Sequence, residues 1–100
     1  MPDTYFVRIT PRALADLEQI FEYIRQDSPQ NAATMIEKLV ESIAGLNILP
    51  HRYDVPRVGT VSGRSVRSMP VRPYLVRYRI DEKRKAVFIL HVRHGARRRP

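Results

Sequence analysis

The chain opens with a strand pattern that passes directly into a helix pattern, TYFVRITPRALADLEQIFEYI at residues 4–24. Residues 4–9 are mostly β-branched or aromatic and alternate in part, which predicts a short strand. Thr10 followed by Pro11 is a typical helix start, with threonine as the N-cap and proline at the first helical position. Apolar residues then recur every three or four positions, which predicts a helix of about four turns.

A second helix follows almost without a loop. Ser28 and Pro29 repeat the start signal, and Leu49-Pro50 marks the end of the helix, since a residue before proline avoids the helical conformation. Its predicted inner face consists of Ala32, Ile36, Leu39, Val40, Ile43 and Leu46. So short a connection favours an antiparallel helical hairpin.

The second half of the chain changes period. Residues 50–64 contain two prolines and two glycines and predict an irregular segment with room for one turn of helix. Strand patterns then occupy residues 65–71, 74–80 and 86–92, and the last is apolar enough to predict a central strand buried on both faces. Pro70 and Pro73 indicate an edge position and a bend.

These elements predict an α+β fold with the order β-α-α-β-β-β. The N-terminal helical hairpin is expected to pack on one face of a small, mainly antiparallel sheet. A length of 100 residues fits one domain over residues 1–100.

The composition excludes several classes of protein. The chain has no cysteine, which removes disulfides and thiolate metal sites and is typical of a reducing compartment. No apolar run approaches the roughly 18 residues of a membrane span. The N-terminal residues lack the pattern of a signal peptide. We therefore expect a cytoplasmic protein without membrane contact.

Charge is distributed unevenly along the chain. Residues 1–50 contain four cations and seven acids, whereas residues 51–100 contain fourteen cations and three acids. Fifteen of the eighteen cations are arginine, whose planar guanidinium pairs with carboxylate and phosphate groups. The basic half predicts a polyanionic partner, either nucleic acid or an acidic protein.

The three histidines, His51, His91 and His94, do not have the spacing of metal ligands, and no glycine-rich cofactor turn is present. We expect no metal and no cofactor. Metal-independent RNA cleavage needs an acid–base group and cations for the phosphate. His94 with Arg64, Arg77 and Arg93 would supply them, although a strand-end histidine bonded to backbone is the more economical interpretation. His91 is expected to be a satisfied histidine within the sheet.

Arginines and tyrosines alternate around the second of the three C-terminal strand patterns. The residues concerned are Arg72, Tyr74, Arg77, Tyr78 and Arg79. Such interleaving suits phosphate contact with base stacking, and it equally suits an interface for an acidic amphipathic peptide. The pattern alone leaves both alternatives open.

The order of elements and several stretches together resemble the RelE/ParE superfamily of bacterial toxins. The stretches are residues 5–17, 20–24, 43–50, 74–80 and 87–97. Asp16-Leu17, Tyr23-Ile24 and the ending His94-Gly95-Ala96-Arg97 are more similar to the ParE branch. The resemblance implies the toxin of a type II toxin–antitoxin pair. RelE-like members cut mRNA in the ribosome, and ParE-like members inhibit DNA gyrase.

Two positions depart from the ribonuclease pattern. Leu75 stands where ribonuclease members often carry an arginine for the scissile phosphate, and Gly95 lies where some carry a nearby aromatic for stacking. The resemblance therefore implies a gyrase inhibitor that is not an enzyme. A ribosome-dependent endoribonuclease using His94, Arg64, Arg77 and Arg93 is the alternative.

The resemblance also implies the partners. An acidic, helical ParD-like antitoxin is expected to form a hetero-oligomer with the toxin, using Tyr74, Arg77 and Tyr78 as anchors. DNA gyrase is expected to contact Arg93, Arg97, Arg98 and Arg99, which we choose by charge alone.

Overall fold

The computed structural model describes residues 3–53, 60–61 and 64–95. Strand β1 (Phe6–Ile9) is followed by the helices α1 (Pro11–Arg25) and α2 (Pro29–Ala44), and then by two short 3-10 turns, Gly45–Asn47 and Pro50–Arg52. Five strands complete the described chain: β2 (Thr60–Val61), β3 (Arg64–Ser65), β4 (Arg67–Val71), β5 (Tyr74–Asp81) and β6 (Ala86–His94). None of the described helices has the length and hydropathy to span a membrane.

Both helices begin where the sequence places their starts. The hydroxyl of Thr10 accepts a hydrogen bond from the amide of Ala13 at 3.2 Å. The hydroxyl of Ser28 accepts one from the amide of Asn31 at 3.1 Å. Each bond satisfies an amide that the first helical turn leaves without a partner.

The main sheet has the strand order β1-β6-β5-β4. β1 pairs with β6 in parallel, whereas β6, β5 and β4 pair in antiparallel fashion. This arrangement confirms the predicted α+β class and element order. Pro70 lies in the edge strand β4, as expected of a residue without an amide donor. β2 and β3 form a small separate hairpin at the end of the segment predicted as irregular.

α1 and α2 cover one face of the main sheet. The buried core joins the two helices and the first 3-10 turn to the strands β4, β5 and β6. Its residues are Ala13, Leu17, Leu39, Ile43, Leu46, Met69, Val71, Tyr74, Val76, Tyr78, Val87, Ile89 and Val92. The hydroxyl of Tyr78 donates to the backbone oxygen of Pro50 at 2.6 Å, which satisfies its one polar group inside the core.

Two burial predictions are wrong for the same reason. β6 is central in the sheet, yet Phe88 and Leu90 are only half-buried, because the helices cover a single face of the sheet. Val40, which the helical pattern assigns to the inner face of α2, is 43% exposed. In both cases the apolar pattern extends beyond the surface that the packed elements cover.

Candidate functional site

The face of the sheet that is turned away from the helices, here called the open face, is defined by alternation along β5. Tyr74, Val76 and Tyr78 are buried against the helices, whereas the odd-numbered residues between them are only half-buried. Successive side chains of a strand point to opposite sides. Leu75, Arg77 and Arg79 therefore belong to the open face.

Strand register places three polar residues in one row across the open face. Ser68 of β4 is paired with Arg77 of β5, and Arg77 is paired with His91 of β6. Directly paired residues bring their Cβ atoms to about 5 Å, so the three side chains are neighbours. We call this set the Ser68–Arg77–His91 row.

Each member of the row has a buried polar atom that lacks a partner. Ser68 Oγ, Arg77 Nε and His91 Nδ1 are shielded from solvent, and no described residue hydrogen-bonds to them. An unsatisfied buried polar group costs about 1–3 kcal/mol, and native structures contain few of them. Three such atoms in adjacent positions single out this row among the described residues as a place where hydrogen bonds are left unmade. The expectation of a satisfied histidine at position 91 is therefore wrong for Nδ1.

The surroundings of His91 favour its neutral form. Burial is the main cause that lowers the pKa of His91 below its ordinary value. The positive charges of Arg93, Arg12 and Arg77 lower this pKa further. Asp16 acts in the opposite direction with a smaller effect. When the imidazole is neutral, the charge of the row is the single positive charge of the Arg77 guanidinium.

Further arginines surround the row on the same face. Arg93 is paired with Leu75, and both Arg8 and Arg79 are paired with Phe88. The guanidinium carbon of Arg79 lies 4.5 Å from the centre of the Phe88 ring, which is a cation–π contact. The open face is therefore basic, and an arginine covers its Phe88 ring. Phe6 lies on the same face as Arg8 by strand alternation and is 71% exposed.

The antitoxin anchors predicted from the sequence do not share one surface. Tyr78 is fully buried, and burial raises its pKa to about 12, so its prediction as a surface anchor is wrong. Tyr74 is 8% exposed and lies on the helix side of β5, opposite to Arg77. Interleaved residues of a strand necessarily point to both faces. The sequence pattern alone did not show which face is covered.

Tyr74 and His94 instead meet in a cleft between α1 and the end of β6. Their rings are in edge-to-face contact, with centres 5.4 Å apart. The cleft has a volume of about 650 Å³, and Asp16, Gln19, Ile20, Tyr23, Val92 and Arg93 complete its lining. Burial, with a smaller contribution from Tyr23, raises the pKa of Tyr74.

The residues of the ribonuclease alternative are divided between the two sides of the sheet. His94 is paired with Tyr74 and lies on the helix side, whereas Arg77 and Arg93 belong to the open face. The structure therefore separates His94 from Arg77, whereas Arg93 lines the same cleft as His94. The side chain of Arg64 and the whole of Arg97, Arg98 and Arg99 lie outside the described residues.

An apolar groove runs along the helical hairpin on the outside of the molecule. It has a volume of about 490 Å³ and is lined by Ile9, Leu14, Leu17, Glu18, Phe21, Glu22, Ile36 and Val40. Leu14 is 50% and Val40 43% exposed. The helical periodicity in the sequence identified these residues as apolar stripe positions, yet it gave no sign that part of the stripe reaches solvent.

Among the described residues, no three histidine, aspartate or glutamate side chains come together as a metal ion would require. What the described surface does provide is the basic open face, the cleft beside α1 and the apolar groove.

Comparisons with known proteins find a family and relatives that match this chain. Residues 7–99 match the family model described as ParE toxin of type II toxin-antitoxin system, parDE. The chain is 38% identical over 88 residues to "Toxin RelE2" of Caulobacter vibrioides, covering 88% of this chain and 92% of that protein.

Solved structures share the fold. The chromosomal ParDE toxin–antitoxin system of P. aeruginosa superimposes with a TM-score of 0.72 at 24% identity, over 91% of this chain and 96% of that one. The RelBE2 toxin–antitoxin complex of Mycobacterium tuberculosis gives a TM-score of 0.63 at 27% identity, over 95% of both chains.

The extent of these matches defines the class, which is the toxin component of type II toxin–antitoxin systems. Within that class, the chain belongs to the ParE toxin family of the RelE/ParE superfamily.

Proposed function

We propose that this toxin inhibits DNA gyrase by direct binding, without catalysis of its own, and that a cognate antitoxin neutralises it. The observation that carries the proposal is Leu75. It lies on the open face opposite Arg93, at the position where ribonuclease members of the superfamily often carry an arginine for the scissile phosphate. An apolar side chain gives no stabilisation to developing charge, and loss of one such donor costs about 3 kcal/mol in the transition state.

The end of β6 supports the same conclusion. The amide of Gly95 donates to the backbone oxygen of Pro73 at 2.7 Å. A Cβ atom at position 95 would lie 3.2 Å from that oxygen and 3.4 Å from Leu75 Cγ. The chain is therefore packed against the β4–β5 turn, in a place where a base-stacking side chain would need room.

The gyrase contact is assigned to Arg93 and to the basic residues 97–99. Arg93 is exposed, and the tail that follows it adds three arginines within five positions of His94. Clustered arginines of this kind suit an acidic protein surface, because the guanidinium group pairs with carboxylates in a fork geometry.

A supercoiling assay tests this assignment. Purified toxin is expected to inhibit gyrase on relaxed plasmid, and the variant Arg97→Gln, Arg98→Gln, Arg99→Gln is expected to need about tenfold more protein for the same effect. Lys38→Gln, Lys83→Gln, Arg84→Gln removes the same charge from exposed positions elsewhere and should act like the wild type. Undisturbed gyrase combined with cut mRNA in a translating extract would overturn the proposal.

The apolar groove of the helical hairpin is proposed to receive an amphipathic helix of a ParD-like antitoxin. Leu14 and Val40 leave much of their side chains exposed there, whereas a helix laid along the groove would bury them. The 27% identical RelBE2 chain comes from a toxin–antitoxin complex, which supports a partner of this kind. The acidic part of the antitoxin would then continue onto the basic open face.

The groove assignment is tested with Leu14→Asp in a binding titration with the antitoxin. Because burial of one leucine is worth about 2 kcal/mol, the dissociation constant is expected to rise by at least about tenfold. Thr34→Asp adds the same charge to an exposed position of α2 outside the groove and serves as the control. Equal affinities of the two variants would remove the groove from the interface.

One observation favours a second candidate function, ribosome-dependent cleavage of mRNA. Arg77 Nε and His91 Nδ1 are unpartnered on the open face, and Arg93 belongs to the same face. The 38% identical relative also has the name of a RelE toxin. Cleavage in a translating extract that is lost in His91→Gln and kept in His94→Gln would establish this candidate, whereas absence of any cleavage would exclude it.

A further inference from the structure

We propose that Ser68, Arg77 and His91 form a carboxylate-binding site on the open face, and that its ligand is an aspartate or glutamate side chain in an acidic segment of the antitoxin. The inference rests on the proposed pairing with an antitoxin. It adds a specific subsite to that pairing, away from the apolar groove of the helical hairpin.

The row offers a matched set of hydrogen-bond donors. The three donors, Arg77 Nε, His91 Nδ1 and Ser68 Oγ, lie in one row and lack partners among the described residues. They are shielded from solvent in the free toxin, so side chains of the row must move when the ligand binds. A carboxylate accepts on two oxygens with about four lone-pair positions. The side of a guanidinium that includes Nε is suited to bidentate pairing with such a group. A neutral imidazole and a hydroxyl supply the remaining donors.

The charges of the open face match a single carboxylate. Arg77 is the cation of the row, and one carboxylate carries the single negative charge that matches it. The described part of the open face has four arginines and one carboxylate, Asp81, at the end of β5. The arginines are Arg8, Arg77, Arg79 and Arg93. Asp81 already accepts hydrogen bonds from the amide and the guanidinium of Arg84. Asp16 of α1, the carboxylate that acts on His91, already accepts from the amide of Val92 and pairs with Arg12. Both of these described carboxylates are therefore engaged elsewhere.

The positions of the aromatic rings favour a protein ligand over RNA. Binding of single-stranded RNA uses exposed aromatic rings as stacking platforms. On the open face Arg79 covers the ring of Phe88, while Tyr74 and Tyr78 lie on the helix side. The exposed ring of Phe6 lies on the edge strand β1, opposite Ala86 and away from the row. Leu75 and Pro70 occupy the neighbouring pair on the open face, which provides apolar contact for a peptide.

Nuclear magnetic resonance of the labelled full-length toxin tests the site directly. In the toxin–antitoxin complex, the Arg77 Nε–H and the His91 imidazole signals are expected to shift and the Nε–H to exchange more slowly with water. In the free toxin, sodium acetate is expected to shift the same signals in a saturable way, whereas sodium chloride at equal ionic strength is not.

Binding measurements supply the energetic test. Arg77→Gln is expected to raise the dissociation constant for the antitoxin by at least about tenfold, mainly through faster dissociation. Arg72→Gln makes the same change at an exposed residue of the β4–β5 turn and is expected to alter it by less than about twofold. Because the signals of the wild type are measured as well, a folding defect in the Arg77 variant would not decide the result.

The possible outcomes distinguish this site from the wider proposal. Unchanged Arg77 and His91 signals in a complex that does form would overturn the carboxylate site and leave the antitoxin pairing intact. A saturable response to single-stranded RNA, with none to the antitoxin, would assign the row to nucleic acid and also overturn it. If the antitoxin does not bind at all, the pairing fails, and this inference fails with it.

Discussion

At the scale of single residues, His91 shows how the environment of a side chain determines its chemistry. Its ring is partly buried in a row with Arg77, and Arg93 of its own strand and Arg12 of α1 add positive charge nearby. Protonation would place a further cation among these guanidinium groups. The neutral form is favoured for that reason. In that form one ring nitrogen donates and the other accepts, so the tautomer decides whether Nδ1 is the donor.

This environment predicts a pH dependence of folding stability. The unfolded chain binds a proton at His91 near the ordinary pKa of about 6.5, whereas the folded state does so only at lower pH. Stability contributed by the neutral histidine is therefore complete above pH 6.5 and is lost as the pH falls through the lowered pKa. Urea denaturation between about pH 7 and pH 5 should show a smaller loss of stability in His91→Gln than in the wild type.

His51 provides the control for this prediction. His51 faces Glu82, with 2.7 Å between its Nε2 and a carboxylate oxygen, and it lies far from the row in sequence and strand order. His51→Gln is expected to retain the contribution of His91 to the pH profile. Identical profiles for the wild type and His91→Gln would show that His91 protonates equally in both states.

At the scale of elements, α1 supplies hydrogen bonds that β1 does not. β1 pairs with β6 only as far as Ile89. Beyond that point the hydroxyl of Thr10 donates to the backbone oxygen of Ile89 at 2.6 Å, and Asp16 accepts from the amide of Val92 at 2.9 Å. The helix thus continues the pairing of β6 up to the cleft that holds His94.

Asp16→Ala is expected to destabilise the fold by about 2 kcal/mol, because the partly buried amide of Val92 loses a charged acceptor. The side chain of Asp16 is 16% exposed, so water replaces it incompletely. Asp16→Asn keeps an acceptor oxygen and should recover part of the loss. Chemical denaturation measures both variants, with the exposed Glu18→Ala as the control. An Asp16→Ala variant as stable as that control would contradict the role of the bond.

Local patterns account for much of the fold. Thr10-Pro11 and Ser28-Pro29 identify both helix starts because the cap and the proline act within one turn of the chain. The second hydrogen bond of Thr10, to Ile89, joins residues far apart in sequence, and no local pattern indicates it. The same limit explains why Tyr74 and Tyr78 of β5 were predicted as surface anchors. Alternation separates the two faces of a strand without showing which face the helices cover.

At the scale of the whole molecule, the charge asymmetry of the sequence becomes a spatial one. Seven of the ten acids lie in residues 1–50, most of them in the helical hairpin. Four arginines are on the opposite side of the sheet. The sequence predicted a basic surface for a polyanionic partner, but the row of Ser68, Arg77 and His91 depends on strand register. Register depends on long-range pairing, including the bulge between Arg77 and Tyr78.

This distribution of charge predicts salt-dependent association with an acidic antitoxin. Opposite charges on the open face and the antitoxin should attract each other before contact, and the acidic helices should disfavour the reverse orientation. Because the screening length falls from about 14 Å to about 4 Å between 0.05 M and 0.5 M salt, the association rate constant should fall by about tenfold or more, while the dissociation rate constant changes less. Stopped-flow mixing of the two proteins measures both rate constants.

The double variant Arg8→Gln, Arg79→Gln should flatten the salt dependence, whereas the same change in charge at Arg25 and Lys38 of the helices should leave it in place. An association rate that does not respond to salt, or equal slopes for the two double variants, would show that the open face does not steer the encounter.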